Sequence, residues 1–147
     1  MTVPSHPWAS VIVPIKDERD NLVPLTEQLI KALESCDESR SAPFEILFID
    51  DGSTDGSSDV LDRLAADYPR VRVFHFDRNY GQSSAFDAGF KHSAGALVIT
   101  IDGDLQNNPA DIGTLLPHVT TFDLVCGWRT NRHDGLVRTL SLKIANA

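Results

Sequence analysis

Apolar runs rich in β-branched and aromatic residues alternate along this chain with segments of helical period. The alternation returns roughly every 25 residues, the rhythm of βαβ units. It predicts strands over 10–15, 44–50, 71–76, 97–102 and 123–126, and helices near 21–35, 57–67, 82–93 and 109–118. Start signals support the helices. Asn21 precedes Leu22, Leu25, Leu29, Ile30 and Leu33, which share one helical face, and Asn108-Pro109 offers a cap with proline in the first turn. The strands are continuously rather than alternately apolar, which predicts helices on both faces of the sheet. A mostly parallel, Rossmann-like α/β sandwich follows, with a single core across the 147 residues.

Charge narrows the possible partners. The net charge is -8, but residues 1–127 carry nine Lys/Arg against twenty Asp/Glu, whereas residues 128–147 carry four against one. An acidic body repels phosphate unless a cation or a local basic patch intervenes, which argues against nucleic acid as a partner. The basic tail reads either as a solvated helix or as a patch for peripheral contact with anionic phosphate at a membrane surface. The apolar runs fall far short of the ~18 residues of a bilayer crossing, and the first ten residues lack the basic start of a secretory signal, so a cytoplasmic chain is expected. Cys36 and Cys126 lie in apolar patterns and read as buried free thiols.

In parallel α/β sheets, ligands bind beyond the carboxyl ends of the strands. Those ends are acidic here: Lys16-Asp17-Glu18 after the first strand, Asp50-Asp51-Gly52-Ser53 after the second, and Asp102-Gly103-Asp104 after the fourth. Alternate residues of an extended chain point the same way, about 7 Å apart, so Asp102 and Asp104 are expected to face one cavity. Gly103 between them lets a ligand approach the backbone. Two carboxylates aimed at one space repel unless a proton or a metal lies between them. Oxygen-only ligands suit Mg²⁺ or Mn²⁺, which complete their shells with substrate phosphate oxygens. A phosphorylated substrate follows. Asp50 is a candidate hydrogen-bond partner for a ribose or base, whereas Ser53, Thr54 and Asp55 read as turn and cap residues.

Four ordered motifs span nearly the whole chain: the run from Val13-Pro14-Ile15 through Lys16-Asp17-Glu18 to Asn21-Leu22; Asp50-Asp51-Gly52-Ser53-Thr54-Asp55-Gly56; Asn79-Tyr80-Gly81 with Ala85 and Gly89; and Asp102-Gly103-Asp104-Leu105-Gln106. Together they resemble family 2 glycosyltransferases of the GT-A fold. The ending Val125-Cys126-Gly127-Trp128-Arg129, followed by Arg132, Asp134, Arg138 and Ala145-Asn146, is similar to the polyprenyl-phosphate members, such as dolichol-phosphate mannosyltransferase and its undecaprenyl-phosphate relatives.

The resemblance implies that Pro14, Lys16, Glu18, Asp50 and Asp51, with Asp102 and Gly103, bind the nucleotide sugar, GDP- or UDP-linked. It implies that Asp102, Asp104 and Gln106 form the metal site, and that Arg129 and Arg138 meet phosphates of donor or acceptor. Lys16 stands where the family often has tyrosine and Asp17 where it often has asparagine, and a serine expected at Leu142 falls one step early at Ser141. Asp104 and Arg129 would then be catalytic, metal and guanidinium together stabilising the leaving diphosphate in an inverting transfer. A polyprenyl-phosphate acceptor is already anionic and needs no general base. A hydroxyl acceptor needs one, and the family's usual base would lie beyond residue 147.

Residues 1–147 thus read as the nucleotide-sugar-binding portion of a glycosyltransferase domain truncated at its C-terminus, working at the cytoplasmic face of the membrane in cell-envelope glycan synthesis. A non-catalytic nucleotide-sugar-binding fragment is the alternative. A receiver-like phosphoacceptor domain fits less well, because it places its acidic pair after the first strand and a lysine where Gly127-Trp128-Arg129 stands.

Overall fold

The computed structural model describes residues 7–36 and 43–127. The chain divides into two compact units, residues 1–114 and 115–147. The first contains a four-stranded, wholly parallel sheet of β1 (Ala9–Ile15), β2 (Phe44–Asp50), β3 (Val71–His75) and β4 (Leu97–Thr100), in the order β3-β2-β1-β4. Helices α1 (Leu22–Cys36), α2 (Ser57–Asp67) and α3 (Gln82–His92) make the crossovers, and a 3-10 turn at Arg19–Asn21 leads into α1. This is the expected α/β arrangement, with β2 and α2 bounded as the sequence predicts.

The central strands explain their unbroken apolar runs. All seven residues of β2 are buried, and six of seven in β1. Side chains alternate across a strand, so Ile12, Leu47 and Ile49 meet Ala85 of α3 on one face, with Phe74, Phe76 and Phe86 packed against them. The neighbouring positions Val11, Val13, Ile46 and Phe48 take the other face, where Leu25, Leu29 and Leu33 of α1 and Leu61 of α2 are also fully buried. Gly89 lets α3 lie against the sheet, because a Cβ there would run into the side chain of Ile12.

The edges depart from expectation. In β4 burial alternates: Leu97 and Ile99 are half-buried, while Val98 and Thr100 are exposed on the α3 face, which α3 does not reach to cover. The expected helix over 109–118 is three short pieces: a 3-10 turn Pro109–Asp111, one α-helical turn Ile112–Leu115, and a 3-10 turn Leu116–Thr120. Its cap is as expected, Asn108 Oδ1 accepting the Ala110 N–H at 3.1 Å. The expected strand over 123–126 is not formed. Residues 124–127 carry no regular structure, Leu124 is 80% exposed, and the described part of that unit offers no strand to pair with. Both cysteines are free, but Cys36 is only half-buried and Cys126 is exposed, against the expectation of buried thiols. Among the described residues no helix is long and apolar enough to cross a membrane.

One polar network interrupts the core. Glu45, wholly buried at the amino end of the sheet, accepts hydrogen bonds from Ser10 Oγ (2.6 Å), Ala94 N–H (2.8 Å) and Arg72 (2.8 Å), while Ser10 Oγ accepts from Gly95 N–H (2.8 Å). A single carboxylate thus ties β1, β2, β3 and the turn before β4 together.

Candidate active site

The candidate site lies at the opposite, carboxyl edge, where each chain segment leaving the sheet turns over its end. A cleft of about 400 Å³ is lined there by Pro14, Lys16 and Glu18 after β1, Asp51 after β2, and Asp102, Gly103 and Asp104 after β4. Asn79, Gly81 and Gln82, from the turn into α3, complete it. Four carboxylates and one ammonium group among these residues make the lining strongly acidic.

Asp102 and Asp104 reach one cavity as expected, but not by strand alternation. β4 ends at Thr100, Ile101 adds one more bond to the Ile12 carbonyl, and a turn with Leu105 at φ +58° carries the acids round. Gly103 packs against the sheet: a Cβ there would stand 2.5 Å from Ile15 Cδ1. Asp102 Oδ1 accepts from Gln82 Nε2 at 3.0 Å, and Asp104 Oδ1 accepts the Gln106 N–H at 3.0 Å. Each carboxylate therefore has one oxygen engaged, the other having no partner among the described residues. Gln106 is exposed and is not among the residues lining the cleft; its backbone shapes the Asp104 turn. No three His, Cys, Asp or Glu side chains among the described residues converge on one point.

The two adjacent acids of β2 part company. Asp51 is buried at the cleft, but both its oxygens are taken by the backbone N–H groups of Tyr80 (2.6 Å) and Gly81 (2.9 Å), so it anchors the turn into α3. Asp50, expected to touch ribose or base, is turned away from the cleft. It is 1% exposed and accepts from Ser53 N–H (2.9 Å), the Ser58 hydroxyl and His75 Nδ1 (2.8 Å), so both of its oxygens are engaged within the fold. Burial pushes the Asp50 carboxyl pKa up, but those hydrogen bonds outweigh it and hold it below the usual range. His75 also meets Asp62 through Nε2 at 3.1 Å; burial lowers its pKa, and the two carboxylates more than reverse this.

Ser53, Thr54 and Asp55 are turn residues, as read, and they grip the loop after β1. Ser53 Oγ accepts Asp17 N–H, Ser57 Oγ accepts Glu18 N–H, Asp55 Oδ2 accepts Arg19 N–H, and Thr54 N–H donates back to Asp17 Oδ1. Lys16 Nζ bonds the Gly52 carbonyl at 2.8 Å and pairs with Asp17 at 3.0 Å. Asn21, rather than capping α1, donates its side-chain amide to the Glu18 carboxylate. Pro14, Lys16 and Glu18 are thereby held along one wall. Arg129 and Arg138 lie outside the described residues.

The sequence marks the turn 79–82 only through the motif Asn79-Tyr80-Gly81 and gives Gln82 no assigned role. Its signal was a glycine opening a helix after a strand, with a polar side chain at the first helical position.

A family model, glycosyl transferase family 2, matches residues 10–143. The chain belongs to this family. Among curated relatives, undecaprenyl-phosphate 4-deoxy-4-formamido-L-arabinose transferase of Salmonella choleraesuis (strain SC-B67) is 40% identical over 140 residues, covering 93% of this chain and 41% of its own. The protein of the same name from Pectobacterium carotovorum subsp. carotovorum (strain PC1) is 38% identical over 139 residues, again 93% and 41%. The chain thus spans about two fifths of the length of these relatives. Among solved structures, the mannosyltransferase PcManGT of Pyrobaculum calidifontis, in complex with GDP-Man and Mn²⁺, superposes with a TM-score of 0.59 at 23% identity, over 76% of this chain and 32% of that one. S. aureus TarS 1-349 in complex with UDP-GlcNAc gives 0.55 at 22% identity, over 76% and 31%. The fold is that of GT-A glycosyltransferases, as the motifs implied.

Proposed function

We propose that residues 1–147 are the nucleotide-sugar-binding portion of a glycosyltransferase that transfers a sugar from a GDP- or UDP-linked donor to a polyprenyl phosphate, with inversion at the sugar carbon. The observation that carries this reading is the pair Asp102 and Asp104, each with one oxygen fixed by an N–H donor and both lining one acidic cleft. The donor set fits a hard divalent cation such as Mg²⁺ or Mn²⁺: oxygen only, and open enough for substrate phosphate and water to complete the shell. Held by Asp102 and Asp104, such an ion would offset most of the negative charge of the cleft and act as Lewis acid toward the leaving diphosphate. Gln106 serves this site by shaping the turn.

Pro14, Lys16 and Glu18 line the wall for the nucleoside, and Lys16 contributes a positive group to an otherwise acidic lining. Asp51 and Gly103 give the cleft its shape. On the family resemblance, Arg129 and Arg138 would supply positive charge for phosphates of donor or acceptor. The names of the curated relatives support the lipid-phosphate acceptor; its anionic oxygen attacks without a general base, which fits a cleft whose carboxylates serve cation and fold. A lipid acceptor puts the reaction at a membrane surface, on our reading the cytoplasmic one.

Thermal melting tests the donor reading. A ligand at 100 times its dissociation constant stabilises the native state by about 2.7 kcal/mol, and each kcal/mol raises the melting temperature by about 2–4 °C at this size. UDP or GDP with Mn²⁺ is expected to raise the transition by about 5–10 °C, and excess chelator to abolish the shift. If neither nucleotide moves the transition, the reading fails.

A further inference from the structure

We propose that Gln82 is a positioning residue for Asp102, holding that carboxylate so that its second oxygen faces the cation; this rests on the donor-site reading above. Gln82 Nε2 donates to Asp102 Oδ1 at 3.0 Å. A carboxylate is an acceptor only, so the amide nitrogen, not its oxygen, faces Asp102, and Oδ2 is left for the metal. A side chain that fixes a metal ligand's orientation spares the ion the entropic cost of ordering it.

Gln82 is itself held from behind. It is the first residue of α3, whose Ala85 is fully buried against Ile12 and the β2 core. The turn before it, with Gly81 at φ +91°, is pinned by the Asp51 carboxylate through the Tyr80 and Gly81 N–H groups, and by Asn79 Oδ1, which also accepts the Gly81 N–H at 2.9 Å. A path of hydrogen bonds therefore runs from the end of β2, through the start of α3, to the acid beyond β4. Asp51 contributes to the site through this path.

The variant Gln82→Met keeps the length of the side chain and removes the donor. With UDP or GDP present, the Mn²⁺ concentration that half-saturates nucleotide binding in calorimetry is expected to rise about 10- to 100-fold, as for other outer-shell partners of metal ligands. The ligand-free melting temperature should stay at the wild-type value, since Gln82 is exposed and α3 is held elsewhere. An unchanged Mn²⁺ requirement overturns the proposal, as does a parallel fall of Mn²⁺ affinity, nucleotide affinity and melting temperature, which marks a merely structural role. If wild-type protein shows no Mn²⁺-dependent nucleotide binding, the donor-site reading falls and this inference with it.

Discussion

Asp104→Asn is expected to weaken Mn²⁺-dependent nucleotide binding by about 100-fold or more, at or beyond the upper end of what outer-shell substitutions cost a metal site, while leaving the fold intact. Asp104 lines the cleft with one oxygen on the Gln106 N–H and the other without a partner among the described residues. Asparagine keeps an oxygen that can accept that N–H, so the turn survives. What is lost is negative charge and the second ligand oxygen. Removing one of two neighbouring carboxylates also relieves their repulsion, so the ligand-free melting temperature should hold or rise slightly. Calorimetry of the variant with UDP or GDP and Mn²⁺ checks both halves. Wild-type affinity and wild-type Mn²⁺ dependence would remove Asp104 from the metal site.

The second large effect is on stability. Glu45→Leu is expected to cost about 3 kcal/mol, because taking the carboxylate away strands the buried Ser10 hydroxyl and the Ala94 N–H together with the Arg72 guanidinium. The figure stands at the low end for a broken buried pair because the Arg72 side chain is 32% exposed and regains water. The melting temperature should fall by about 6–12 °C. The effect depends on pH with a definite sign. Burial pushes the Glu45 carboxyl pKa up, but hydrogen bonds from Ser10, Ala94 and Arg72 outweigh this and hold it below its ordinary value of 4.5. A depressed carboxylate stabilises the fold above its unfolded pKa and ceases to do so as pH falls through the folded one. The difference between wild type and variant should therefore be full at pH 6–7 and shrink below about 4.5. A difference under about 1 kcal/mol at neutral pH would show the network to be dispensable.

These two residues mark what the sequence does and does not disclose. The place of Asp104 is legible: an acid two residues from another, after an apolar strand, falls at the carboxyl edge of a parallel sheet, where its side chain does line the cleft. Glu45 is the opposite case: a charged residue inside the run Phe44-Glu45-Ile46-Leu47 is a visible anomaly, but the run does not say what it pairs with. Its partners come from β1, β3 and the turn before β4, 27 to 49 residues away, so no local pattern points to them.

Asp50 and Asp51 show the limit of motif reasoning at strand ends. The pleat sends neighbours to opposite sides, and only the register, with Asp50 paired to Ile15 and His75, decides that Asp50 turns toward His75 and Ser58 while Asp51 meets the start of α3. The run 123–126 has the composition of a strand, yet a strand exists only by pairing. The central elements were readable for the converse reason: β1 and β2 are buried on both faces, and that leaves a continuous apolar signature which surroundings cannot alter.

The most direct test of the account is an anomalous difference map from crystals grown with Mn²⁺ and UDP or GDP. The expected result is a peak within about 2.0–2.3 Å of carboxylate oxygens of Asp102 and Asp104, bridging to the diphosphate, with the nucleoside along Pro14, Lys16 and Glu18. A nucleotide bound elsewhere, or manganese at Asp50, His75 and Asp62 with the Asp102–Asp104 cleft empty, would contradict it.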